Sequence, residues 1–131
     1  MRVGDIESTM TMLQAYFATI EYDAIPKKLH REKFYQFVFW QLFTLMGQFV
    51  QTEVKNNKGR ADAVVKTADT IYIFEFKMDD NATAEDAIKQ INSKDYAIPY
   101  IADHRKLVKI GAEFSQTEKG LKQWLIEYSV E

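Results

Sequence analysis

Gly59-Arg60-Ala61-Asp62-Ala63-Val64-Val65, a short polar turn around Ala68 and Asp69, and Ile71-Tyr72-Ile73-Phe74-Glu75-Phe76-Lys77 decide the fold and the chemistry it can carry. Both runs have strand-like residue types, and the turn between them is short, so they are expected to pair as antiparallel neighbours. Side chains alternate along a strand. Ile71, Ile73, Glu75 and Lys77 therefore share one face, and Tyr72, Phe74 and Phe76 the other. Asp62 begins one strand and Glu75 ends the next, positions that lie side by side in a tight antiparallel pair. Two carboxylates and one amine are expected to converge.

A blander alternative exists for each residue. Glu and Lys two apart on a strand are commonly a solvated pair worth little energetically, and an Asp after Gly-Arg-Ala can simply finish a turn. Against this, the strand ending in Lys77 is apolar on both faces up to Phe74. That marks a central strand, where charges are costly unless paired or bound. Two carboxylates suit a hard divalent cation: Mg²⁺ takes oxygen ligands, keeps several waters, and is usually held by one or two carboxylates plus substrate phosphates, and Mn²⁺ would satisfy the same donors. The matching chemistry is metal-assisted phosphodiester hydrolysis, with Lys77 orienting or deprotonating the attacking water.

Upstream, Phe49 to Lys55 is β-prone, and Asn56-Asn57-Lys58-Gly59 supplies turn residues, so a hairpin leads into the Asp62 strand and completes a three-stranded antiparallel meander. Before it, Phe34, Phe37, Val38, Gln41, Leu42 and Leu45 share a helical face in a helix that runs up to Gly47. Ile6, Met10, Leu13, Phe17 and Ile20 place another helix over roughly residues 6–20, with Asp5 as its N-cap, and Pro26 separates the two. Downstream, Thr83 and Asp86 form a capping signal for a helix to about Ser93 that presents Ala87, Ile88 and Ile91 on one face. Leu107–Ala112 and Trp124–Tyr128 are further strands. From residue 30 the order is helix, three strands, helix, strand, strand.

The composition narrows the partners. Seventeen Lys and Arg against nineteen Asp and Glu leave a formal charge of −2 in 131 residues, so any nucleic-acid contact must come from a local patch. The absence of cysteine excludes disulfides, thiolate zinc sites and thiol nucleophiles, and fits a reducing, cytoplasmic setting. No apolar run approaches the roughly 18 residues of a membrane span, and no glycine falls in a phosphate-binding P-loop pattern. His30 and His104 have no ligand-like spacing.

Gly59-Arg60-Ala61-Asp62, twelve intervening residues, Glu75-Phe76-Lys77 and Ala87-Ile88-Lys89-Gln90-Ile91 together resemble the PD-(D/E)XK nuclease superfamily. More narrowly, Tyr72-Ile73-Phe74-Glu75-Phe76-Lys77, Gln90-Ile91, Lys94-Asp95-Tyr96-Ala97 and Lys109-Ile110-Gly111 are similar to the nuclease-like domain that follows a P-loop ATPase-like domain in many bacterial proteins, especially of Bacteroides type. The resemblance covers about residues 30–130; it places a nuclease-like domain at 29–131, with residues 1–28 an additional helix and linker that would suit the tail of a preceding domain. It implies an α/β restriction-endonuclease-like core of order α-β-β-β-α-β, a central mixed sheet flanked by helices. It also implies Asp62 and Glu75 as metal ligands, the Phe76 carbonyl as a further ligand, Lys77 as the catalytic lysine, and Gln90 as the glutamine on the following helix. Glu32 and Gln36 compete for the family's acidic position on the early helix, and Ala61 stands where the motif has proline.

Arg60, Lys94 and Tyr96 are candidate phosphate contacts near the cleft. The aromatic helix around Phe34–Trp40 is first of all a core element; a second copy of the chain is the other surface it could serve. The leading expectation is a Mg²⁺-dependent nuclease acting on DNA. The contrasting one is a nuclease fold kept as a binding or regulatory module beside an ATPase domain, and the third is a homodimerisation domain.

Overall fold

A computed structural model describes residues 6–19, 31–45, 49–56, 59–80, 82–115 and 120–128; at 31–34 and 49–56 it describes the backbone alone. Asp5, Ile20, Pro26, His30, Gly47 and the turn residues Asn57 and Lys58 lie outside the described residues. The order is α1 (Ile6–Ala18), α2 (Arg31–Leu45), β1 (Phe49–Asn56), β2 (Gly59–Lys66), β3 (Thr70–Met78), α3 (Ala84–Ser93), β4 (Lys106–Ser115) and β5 (Gly120–Tyr128), with a 3₁₀ turn at Ile98–Tyr100. The strands form one sheet in the order β1-β2-β3-β4-β5. The expected meander is present, since β1, β2 and β3 pair antiparallel. Helix α3 then supplies the crossover that a parallel pair needs, and β4 lies parallel to β3. Strand β5 returns antiparallel to β4, which makes the sheet mixed. The fold is α/β of the restriction-endonuclease-like kind, with an added N-terminal helix.

Strand β3 is central and almost wholly buried, and its alternation serves two cores. Tyr72, Phe74, Phe76 and Met78 join Val108, Ile110, Ala112 and Phe114 of β4 under α1 and α2, whereas Ile71 and Ile73 join Val64, Ile91 and Tyr96 on the α3 side. Aromatic contacts hold α2 to the sheet: Tyr35 stacks on Phe114 at 4.1 Å, and Phe39 meets Phe74 at 4.5 Å and Phe76 at 5.1 Å. Each such pair adds about 0.5–1.5 kcal/mol beyond area burial.

The buried face of α2 differs from the expected one. Tyr35, Gln36, Val38, Phe39 and Phe43 are buried, whereas Phe37 is 54% and Leu45 83% exposed. Helix α2 is apolar around most of its circumference, so periodicity alone cannot choose its inward stripe. Helix α1 joins the same core: Ile6, Met10, Leu13 and Phe17 are buried in it. Gln14 donates to the Leu121 carbonyl at 3.0 Å and the Trp124 indole to Glu7 at 2.9 Å, which ties α1 to β5.

Helix α3 begins where the capping signal places it. Thr83 accepts from the Asp86 backbone N–H at 3.1 Å, and the Asp86 carboxylate accepts from the Thr83 N–H at 2.9 Å. These bonds satisfy two amides that a helix start leaves unpaired. Thr83→Ala should cost about 1 kcal/mol, read as a lower urea midpoint with unchanged slope. Asp86 is held below its ordinary 3.8, first by the Thr83 backbone N–H and then by the Thr83 hydroxyl. A carboxylate with a depressed folded pKa contributes stability above the unfolded value and loses it as pH falls through the folded one. The stability gap between wild type and Asp86→Asn should therefore be full at neutral pH and close on acidification below 3.8; a gap that stays constant to pH 2 would remove the carboxylate from the cap.

Candidate active site at the parting of β2 and β3

The β2–β3 backbone pairing runs from Lys66↔Ile71 to Ala63↔Phe74 and stops there. Asp62 is the next residue of β2. Its carboxylate bridges the parting, with Oδ2 accepting the Phe76 backbone N–H at 2.7 Å. One side chain thus replaces the missing ladder bond, and an acidic group is fixed between the strands where a buried amide would otherwise lack an acceptor. From the opposite side of the sheet, Gln36 of α2 donates to the Asp62 carbonyl at 2.7 Å, so both ends of Asp62 are held.

Glu75 and Lys77 follow on the α3 face of β3, as the alternation requires. Glu75 is 4% exposed, and its Oε2 lies 3.6 Å from the Lys77 ammonium, whose side chain is 22% exposed. This is not a solvated surface pair. Burying an ion pair brings little or no net stability, so the pair has to be explained by what it does. Lys77 donates to Gln90 Oε1 of α3, and the Gln90 amide donates to the Tyr96 hydroxyl at 3.1 Å. Glu75, Lys77 and Gln90 are thus linked side chain to side chain, Asp62 is held to the backbone of the residue next to Glu75, and Gln36 reaches Asp62 through its carbonyl.

The remaining candidates fall elsewhere. Arg60 and Lys94 are exposed, at the start of β2 and just past the end of α3. Tyr96 is 5% exposed, so it belongs to the floor of the site and not to a rim that meets phosphates. The Glu32 side chain lies outside the described residues.

Glu113 is a buried carboxylate that sequence reasoning passed over, because the strand was expected to end at Ala112. It is 2% exposed and lies beside Lys77 in the β3–β4 register. Its Oε1 accepts from the Ala84 backbone N–H at 2.9 Å and from Gln123 at 2.7 Å, and Lys122 stands 3.5 Å from Oε2. Glu113 ties the first residue of α3 to β4 and β5, which fixes the helix that carries Gln90. A charged residue inside an otherwise apolar run was the available signal.

Among the described residues no three His, Cys, Asp or Glu side chains cluster as a ready-made metal cage. The donors present still suit a hard divalent cation, which takes carboxylate oxygens and can be completed by waters and substrate oxygens.

Two comparisons bear on this arrangement. Residues 30–124 match a family model described as the PD-(D/E)XK nuclease superfamily; the match takes in the whole convergent group and begins just before α2. An uncharacterized protein encoded in the vnfD 5′ region of Azotobacter chroococcum mcd 1 is 30% identical over 126 residues, which is 95% of this chain and 24% of the relative. The chain thus spans about a quarter of that relative's length. With the motif residues gathered at the strand parting and the match covering most of the chain, this protein belongs to the PD-(D/E)XK nuclease superfamily.

Proposed function

We propose that the chain is a Mg²⁺-dependent nuclease domain that hydrolyses phosphodiester bonds in DNA, with Asp62, Glu75, Lys77 and Gln90 as its working residues. One observation carries this reading: Asp62 is fixed at the strand parting beside a buried Glu75–Lys77 pair whose ammonium is held by Gln90. Asp62, Glu75 and the Phe76 carbonyl would hold the cation, which when bound supplies charge stabilisation to the phosphate and acidifies a water.

The chain's own groups do the rest. Lys77 brings positive charge to the scissile phosphate and, through its hydrogen bond to Gln90, is restricted to few rotamers, so less entropy is lost on forming the transition state. Exposed Arg60 and Lys94 would hold flanking phosphates as point charges. The relative's greater length fits a nuclease domain that works beside a further domain, for which the sequence resemblance suggests a P-loop ATPase-like one.

The second reading, a nuclease fold used for binding, is favoured by Gln36, an amide and not an acid, being the α2 side chain that reaches Asp62 among the described residues. The deciding experiment incubates single-stranded, double-stranded and branched DNA, and RNA, with Mg²⁺ or Mn²⁺, alongside calorimetric metal titration. Metal-dependent cutting of DNA supports the nuclease. No cutting of any substrate, together with no metal heat, rejects it in favour of the binding module.

A further inference from the structure

We propose that Tyr96 is a positioning residue that sets the orientation of the Gln90 amide and, through it, the placement of the Lys77 ammonium. The inference rests on the nuclease reading above. A glutamine amide has two ends of nearly equal size and opposite hydrogen-bonding character. Lys77 has only N–H donors, so Gln90 serves it only with Oε1 turned inward. The Nε2 end must then find an acceptor, and the Tyr96 hydroxyl provides one at 3.1 Å.

The chain is shaped to bring that hydroxyl there. Helix α3 ends in a Schellman motif: the Asp95 N–H bonds the Asn92 carbonyl at 3.2 Å, and the Tyr96 N–H bonds the Ile91 carbonyl at 3.1 Å. Asp95 takes the left-handed position with φ 54°, where glycine is the usual occupant. That reversal folds Tyr96 back against its own helix, into the buried cluster that holds Ala61, Val64 and Ile91. The hydroxyl is enclosed closely enough that a Cβ on Gly59 would stand 3.1 Å from it. A buried ring directs a polar tip at one amide, immediately after a non-glycine residue in the left-handed conformation.

The test is a double-mutant cycle with Tyr96→Phe and Gln90→Leu, read by steady-state kinetics on whichever DNA the wild type cuts and by NMR of the Gln90 side-chain NH₂. Phenylalanine keeps the ring and removes only the hydroxyl. Tyr96→Phe should lower kcat about tenfold, the scale of one hydrogen bond, with KM little changed. It should add nothing in the Gln90→Leu background, because its effect travels through that residue. The Gln90 NH₂ signals should shift and exchange faster with solvent in Tyr96→Phe. Independent, multiplying effects on kcat, or Gln90 signals unchanged by the loss of the hydroxyl, would overturn the proposal. A wild type that cuts nothing would reject the nuclease reading, and the NMR comparison would still decide whether Tyr96 orients Gln90.

Discussion

Asp62→Asn should abolish metal binding while leaving the fold intact, and Lys77→Met should do the reverse, sparing the metal and removing turnover. The Asp62 carboxylate has two duties: it accepts the Phe76 N–H at 2.7 Å, and it is proposed to supply a charged oxygen to the cation. Asparagine keeps an acceptor oxygen for the amide and gives up the charge. Its thermal midpoint should stay close to wild type. Calorimetric metal affinity should fall by more than the roughly 10–100-fold typical of outer-shell changes at metal sites. Asp62→Ala should add a structural penalty of about 1–3 kcal/mol, because it leaves the Phe76 amide without its acceptor. Lys77→Met keeps most of the stem and removes the ammonium near Glu75. Metal affinity should hold or rise, since a competing positive charge is gone, while kcat drops about 10²–10³-fold, the range for a group aimed at charge developing in the transition state. An Asp62→Asn protein that binds Mg²⁺ as wild type does would move the metal away from the strand parting.

Gly111→Ala should be the most damaging Gly→Ala change among the described residues. A Cβ there would collide with the Ala84 carbonyl oxygen and sit 2.9 Å from the Ala87 Cβ and 3.2 Å from Ile88 Cγ1. The first of these is backbone in the opening turn of α3, so no side-chain rotation relieves it. The helix must move off the sheet. Overpacking of a well-packed interior costs about 1–3 kcal/mol and sometimes more, and the backbone clash puts this case at the upper end. A loss near 3 kcal/mol corresponds to a melting midpoint lower by about 10 °C in a domain of this size. Moving α3 also withdraws Gln90 from Lys77 and strains the Glu113 bond to Ala84. Activity per folded molecule should therefore fall as well, measured well below the new midpoint. A variant that melts with the wild type would show that α3 is not seated on β4 at this distance.

Both predictions depend on features that were unequally legible in the sequence. The alternation of β3 placed Glu75 and Lys77 on one face and set Tyr72, Phe74 and Phe76 opposite, because a period of two follows from backbone geometry alone. The capping box at Thr83 and Asp86 was legible for the same reason, since its hydrogen bonds span only three residues. The buried stripe of α2 was not. Phe37 and Leu45 match the helical period as well as Tyr35 and Phe39 do, and only the positions of Phe74, Phe76 and Phe114 beneath the helix decide between them.

By itself the sequence determined the elements, their order, the antiparallel meander and the residue types able to hold a hard cation, all of which follow from local periodicity and short-range hydrogen bonding. Tertiary structure alone decided that the β2–β3 pairing stops at Ala63↔Phe74 with Asp62 filling the parting. It also decided that Glu113 anchors α3 and that Tyr96 turns inward to Gln90. These are contacts between residues far apart in the chain or across a reversal of direction. Their geometry is fixed by how helix and sheet pack, and no local pattern encodes it.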